Sequence, residues 1–248
     1  MSITLQSQLL PPLANAEQCA IQNSHVSFFG CFAQQNPQAF VSLNRLLLAH
    51  DFSTIIELGT HDSGVATLFA LYCLGSKMPA TADDPREPSL YKNATHHKRP
   101  KEFYTFDNVR RDIPRLQLLT NMGANVLTRD TLTDEATIAY VRRLIQRPGT
   151  TLLLCDGGNK RREVELYAPA LKPGDFIMVH DWAKDAAAMA SLRERGIWQS
   201  WESWWDVGPS DAVPPEGIMK DCVLNGVKQV YAEEFDDVAW FCARKRLV

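Results

Sequence analysis

The sequence predicts an α/β protein on a Rossmann-like, doubly wound sheet, mostly parallel with an antiparallel edge strand. Two observations carry this expectation. Short apolar runs alternate with helical stretches through the middle of the chain. Four of those runs also end on an acid: Glu57 after Thr54-Ile55-Ile56, Asp107 after Phe103-Tyr104-Thr105-Phe106, Asp130 after Asn125-Val126-Leu127, and Asp156 after Leu152-Leu153-Leu154-Cys155. With 248 residues and 45% hydrophobic content, one domain can bury a sizeable core and cover both faces of such a sheet.

Taken in order, residues 1–35 are polar and rich in Gln and Asn, and they are expected to form an N-terminal arm or cap. Residues 36–248 read as the main domain. Pro37 opens an amphipathic helix bearing Phe40, Val41, Leu43, Leu46, Leu47 and Leu48. The first sheet strand is expected at 53–58 and the next helix at 65–74. Residues 75–101 are Pro-rich and charged without an apolar period, which marks a lid-like insertion. The second strand is placed at 102–107. A helix delayed by Pro114 leads to the third at 124–129. Thr133-x-Glu135 opens a helix with Ile138, Val141, Leu144 and Ile145 in period, and Pro148-Gly149 ends it. The fourth strand is placed at 151–156 and a helix at 161–171. Lys172-Pro173-Gly174-Asp175 then turns the chain into a fifth strand at 176–180, followed by a helix at 185–195. The runs 227–232 and 238–244 are expected to pair at the far edge.

The net charge of −3 gives no general attraction to nucleic acid or to an anionic membrane. No run approaches the roughly 18 apolar residues that cross a bilayer. Residues 1–15 lack a basic start and a long apolar stretch, so no secretory signal is expected. The six cysteines are scattered without a C-x-x-C pair, and Cys73 and Cys155 sit in apolar runs. A reduced, cytoplasmic setting is therefore expected. The expected partner is a small-molecule acceptor, and a homo-oligomer is left open.

Ligands of such sheets lie in the crevice outside the carboxyl ends of the strands. Four carboxylates there would repel a pyrophosphate and attract a cation. S-adenosylmethionine, with its sulfonium and ammonium groups, meets that requirement, as does a divalent metal. The turn Glu57-Leu58-Gly59-Thr60-His61-Asp62-Ser63-Gly64 has glycines five apart and two flanking acids, unlike the G-x-G-x-x-G that cradles a pyrophosphate. A plain βα turn needing Gly59 for its backbone angles is the alternative. Asp107 stands where an acid accepts from two ribose hydroxyls, and Asp130-Thr131 where adenine would lie. Each acid could instead cap the helix that follows it.

Glu57-Leu58-Gly59-Thr60, Asp107, Arg129-Asp130-Thr131, the block Leu154-Cys155-Asp156-Gly157-Gly158-Asn159-Lys160 and the block from Tyr167 to Asp181 resemble class I S-adenosylmethionine-dependent methyltransferases. The later block is most similar to the cephalosporin-hydroxylase-like and macrolide sugar O-methyltransferase group. The resemblance implies methylation of an oxygen on a small molecule, with Glu57, Gly59, Thr60, His61, Gly64, Asp107, Asp130, Thr131 and Asp156 around the cofactor. It also implies a magnesium, manganese or similar ion on Asp156, His180 and Asp181. His180 departs from the carboxylate usual in the family, and Gly157-Gly158-Asn159 departs from its more polar sequence. A His/Asp/Asp set suits manganese, iron or zinc better than magnesium. The departure is equally compatible with loss of the metal and service of His180 as the base.

Lys160 is the second candidate base, its alternative being a solvated first turn with Arg161 and Arg162. Trp198, Trp201, Trp204 and Trp205, beside Trp182, read either as core packing or as a substrate wall. The basic stretch 96–101 reads as a solvated loop, its alternative being a contact for an acidic substrate or partner. Two rivals remain at this stage: an NAD-dependent oxidoreductase, and a non-catalytic S-adenosylmethionine-binding or assembly protein on the same fold.

Overall fold

The computed structural model describes residues 26–28, 31–33, 35–75, 101–110, 113–197, 222 and 224–247. Residues 76–100 of the lid-like insertion lie outside them, and so do Trp198, Trp201, Trp204 and Trp205. Part of the segment expected as an arm or cap pairs as an antiparallel hairpin, β1 (Val26–Phe28) with β2 (Cys31–Ala33). The chain then enters α1 (Pro37–Ala49), where the side chain of Asn36 accepts from the Gln38 N–H at 2.7 Å and Pro37 supplies the fixed φ of a first turn. Ala39, Leu43, Leu46 and Leu47 recur at helical spacing and form its buried face.

A seven-stranded sheet follows. Its strands are β3 (Phe52–Leu58), β4 (Glu102–Asp107), β5 (Asn125–Thr128), β6 (Thr150–Cys155), β7 (Phe176–His180), β8 (Val227–Gln229) and β9 (Trp240–Lys245), in the order β5-β4-β3-β6-β7-β9-β8. The five strands from β5 to β7 are parallel. At the far edge β9 runs antiparallel to both β7 and the short outer β8. Chain order reverses direction between β3 and β6, so the ligand crevice of an open α/β sheet falls at their carboxyl ends.

Alternate residues of each strand enter two separate cores, which is why the strands read as continuous apolar runs. Ile56, Leu58, Phe106, Leu153 and Ile177 pack against α4 (Glu135–Ile145) and α5 (Lys160–Tyr167) through Ile138, Val141, Ile145, Val164 and Tyr167. Ile55, Phe103, Leu152, Leu154 and Met178 face α1 and α2 (Gly64–Gly75) through Leu43, Leu46, Ala66 and Phe69. Further helices are α3 (Ile113–Asn121), α6 (Ala186–Glu194) and α7 (Ala232–Phe235). Among the described residues, no helix is long and apolar enough to cross a membrane.

Three boundaries differ from expectation for local reasons. The N-cap of α4 is Asp134, which accepts from the Ala136 N–H at 3.1 Å. The α5 helix stops at Tyr167 and tightens into a 3₁₀ turn over Ala168–Ala170, because Pro169 cannot donate and crowds the preceding turn. The run 227–232 is strand only to Gln229, since Tyr231 at φ 58° swings the chain into α7.

Candidate active site

The β3–α2 turn is built around one close approach. Gly59 has φ +99°, and a Cβ there would lie 2.3 Å from the Asp156 carbonyl oxygen, so only glycine lets the turn pass against the end of β6. The Gly59 and Thr60 N–H groups both donate to the Phe106 carbonyl, at 2.8 and 3.1 Å, and the His61 N–H donates to Asp107 Oδ2 at 3.0 Å. Three successive amides are thus taken by the protein itself. A pyrophosphate needs such donors free, so this geometry counts against the dinucleotide reading.

The four acids that end the strands do not share one environment. Glu57 is buried inside the sheet, where the Thr105 hydroxyl donates to its Oε2 at 2.5 Å and the Thr60 and Thr105 hydroxyls lie 2.6 Å apart. Burial pushes its carboxyl well above the ordinary range, against the Thr105 hydrogen bond and with repulsion from Asp156 and Asp107. Asp107 is half-buried at the end of β4 and accepts from the His61 and Val109 N–H groups, which fixes its carboxylate at the rim of the crevice. Asp130 closes its own turn instead. It accepts from the Leu132 and Thr133 N–H groups and from the Thr133 hydroxyl, and these bonds hold its pKa below the usual value. Thr131 beside it offers its carbonyl to the Tyr167 hydroxyl at 2.5 Å. His61 and Asp62 lie 3.2 Å apart, and Arg115 reaches Asp62 at the same distance. Gly64 is the buried first residue of α2. Of the four acids, only Asp107 and Asp156 present a carboxylate at the mouth between strands.

A second cluster forms where β6 and β7 end. His180 Nδ1 lies 2.8 Å from Asp156 Oδ1 and 3.1 Å from Asp181 Oδ1. Asp181 adopts φ +57°, which folds its carboxylate back between the imidazole and Lys160, whose Nζ is 2.5 Å from Asp181 Oδ2. Burial works against a charged His180, but Asp156 and Asp181 outweigh both burial and Lys160 and raise its pKa to about 9. Burial likewise opposes a charged Lys160, and Asp181 and Asp156 override it, so its pKa is raised. Asp181 is kept below the usual carboxylate range: burial alone would raise it, and His180 and Lys160 prevail.

Lys160, a candidate base with a solvated first turn as its alternative, is not solvated. Its side chain is only 12% exposed and tied to Asp181. An ammonium with a raised pKa holds its proton. Residues that the sequence reading did not single out complete the cluster. Gln35, just after the hairpin, lies 3.1 Å from His180 Nε2 through its amide nitrogen, while its Oε1 accepts from Trp240 Nε1 at 2.9 Å. The Trp240 ring lies tilted against the imidazole, with ring centroids 4.7 Å apart. Glu163 lies beneath Gly157, buried and raised to about 8 by desolvation against the opposing pull of Lys160. No local pattern points to Gln35 in a polar stretch 145 residues away. The period of α5, which buries position 163 beside Val164 and Tyr167, could have pointed to Glu163.

The donor atoms of Asp156, His180 and Asp181 lie within 4.8 Å of one another, close enough to surround an ion. Lys160 Nζ lies 2.5 Å from Asp181 Oδ2, so an ion held there would share that carboxylate with an ammonium. Trp182, read with the tryptophan cluster, is a core residue: it is buried, its indole donates to Asp236, and it packs on Phe241.

No family model and no curated protein matches the sequence. Solved structures do match. The chain is similar to CmcI in its N160 apo form, with 13% identity, 90% of this chain and 77% of that chain covered, and a TM-score of 0.56. It is also similar to the D160 form of CmcI with Mg and SAM, at 11% identity, the same coverage and a TM-score of 0.53. Together with the strand order, these likenesses show that the chain shares the Rossmann-like fold of these structures.

Proposed function

We propose that the protein is an S-adenosylmethionine-dependent methyltransferase that acts on an oxygen of a small molecule, with His180 as general base. The observation that carries this reading is the His180–Asp156 pair at 2.8 Å, at the ends of β6 and β7 and one strand from the Gly59 turn. The cofactor would lie along the turn, with Asp107 on its ribose. The acceptor would approach over His180.

The chemistry requires little covalent work from the protein. The acceptor oxygen attacks the methyl carbon in line, and the carbon–sulfur bond breaks with its electron pair passing to sulfur. The hydroxyl proton moves to the unprotonated nitrogen of His180. Asp156 and Asp181 stabilise the imidazolium that results, while Lys160 holds Asp181 in place. No step is assigned to a metal.

Two measurements test this reading. Titration calorimetry should detect S-adenosylmethionine or its demethylated product and no NAD; binding of NAD alone would overturn the proposal. Turnover on an acceptor should be indifferent to EDTA. Loss of activity in EDTA, restored by one divalent ion, would return Asp156, His180 and Asp181 to the role of metal ligands. Tight cofactor binding without turnover on any hydroxylated acceptor would favour the non-catalytic binding protein.

A further inference from the structure

We infer that Thr105 is a positioning residue for the cofactor: its buried hydroxyl joins Glu57 to Thr60 and leaves the Thr60 oxygen an acceptor for the ammonium group of the ligand. This inference rests on the methyltransferase reading above and extends it from the rim of the crevice into the sheet.

A line of buried polar side chains runs beneath the turn. Glu57 is near the end of β3, Thr105 is its register partner on β4, and Thr60 follows Gly59. They are 1%, 0% and 4% exposed, so water does not compete for their hydrogen bonds. The Thr105 hydroxyl donates to Glu57 Oε2 at 2.5 Å and lies 2.6 Å from Thr60 Oγ1. A hydroxyl has one proton to give. With that of Thr105 spent on the carboxyl, the bond to Thr60 forms only if Thr60 donates. The chain therefore runs one way, from Thr60 through Thr105 to Glu57. Thr60 keeps no proton for a ligand, and its oxygen can meet only a donor.

The place of Thr60 selects that donor. Its own N–H is held by the Phe106 carbonyl at 3.1 Å and the next amide by Asp107, so the turn is pinned to β4 on either side of the hydroxyl. In the reading above, Asp107 takes the ribose and the methyl faces His180. The turn between them meets the remainder of the ligand, whose ammonium has hydrogens to give. Glu57 itself is buried, and burial holds its carboxyl well above the ordinary range. It therefore acts on the ligand through the hydroxyls of Thr105 and Thr60 rather than as a charge in the crevice.

The test is titration calorimetry with two ligands. One is S-adenosylhomocysteine, the demethylated product, which carries the ammonium. The other is methylthioadenosine, which has the same nucleoside and sulfur without the amino-acid end. Thr105→Val keeps the shape of the side chain and removes the hydroxyl. It should weaken S-adenosylhomocysteine about tenfold or more, the scale of a hydrogen bond to a charged group, and leave methylthioadenosine within about twofold of wild type. Thr105→Ser, which keeps a hydroxyl, should restore binding. Thr60→Val should reproduce the loss, and in the Thr60→Val/Thr105→Val double variant the two losses should not add. Urea melts of each variant report whether it is folded. If Thr105→Val does not fold, Thr60→Val, which leaves Thr105 bound to Glu57, decides by the same comparison. An unchanged dissociation constant in the folded variant overturns the role of Thr105 while the methyltransferase reading stands. Equal weakening of both ligands overturns it too, since the hydroxyls would then only shape the turn. A wild type that binds neither ligand sinks the methyltransferase reading and the inference with it.

Discussion

The two halves of the crevice handle negative charge in opposite ways. Beside β3 and β4, the acids are satisfied by neutral donors: a hydroxyl on Glu57, and the His61 and Val109 amides on Asp107. Beside β6 and β7, Asp156 and Asp181 face the side chains of His180 and Lys160. The amides fix the direction of Asp107 at the rim, which suits recognition of a bound cation or sugar, while burial keeps Glu57 beneath it well above the ordinary carboxyl range. Ionisable partners can exchange a proton, which suits reaction. The first half is therefore equipped to hold a ligand and the second to act on it.

Substitutions on each side should break this division differently. The largest effect is expected for His180→Ala, which should lower kcat by about 10²- to 10⁴-fold, the usual share of a general base, with cofactor affinity nearly unchanged. An equal loss in binding and rate would erase the distinction between the halves. Asp107→Ala should show the reverse pattern in calorimetry and kinetics. It should lose about 2–4 kcal/mol of cofactor binding, with kcat at saturation close to wild type.

The pH profile sharpens the reactive side. A base works in its neutral form, so the rate should fall as pH drops through the pKa of His180. The acids beside the ring raise that value from 6.5 to about 9 against burial, and the midpoint of kcat should lie near there. A rate that declines with rising pH across this window would remove His180 as base.

The smallest expected effect concerns Glu163, beneath the reactive side. Its folded pKa of about 8 exceeds the ordinary 4.5 because of burial. Between those values the unfolded chain ionises and the folded one does not, so stability falls as pH rises from 4.5 to 8. Glu163→Gln should remove that slope in denaturant melts, to the extent of a few kcal/mol at pH 8. An identical slope in the variant would mean that the carboxyl is ionised in place.

Much of the fold was legible because it is written locally. The strands at 102–107 and 176–180 fall where the apolar runs begin and end, and Pro37, Gly59 and Pro114 mark real turns or helix starts. The charge logic of the site was less so. A strand-ending acid reads the same whether it faces the crevice, as Asp107 does, sinks into the sheet like Glu57, or closes its own turn like Asp130. Lys160, between Asn159 and Arg161, looks solvated until the left-handed backbone of Asp181 brings a carboxylate over it. Gln35 depends on a hairpin and on a strand some two hundred residues later, and neither leaves a trace in the neighbouring sequence.

The direction of β9 has a practical consequence for handling the molecule. Because it runs against its neighbours, Trp240 enters at the crevice and Lys245 leaves at the opposite end, bound to the backbone of Gly174 and Asp175 before β7. An affinity tether or reporter joined after Lys245 would emerge on the far side of the sheet, leaving the approach to His180 clear for ligand titrations. The same attachment made before Gln35 would pull on a residue in contact with the ring.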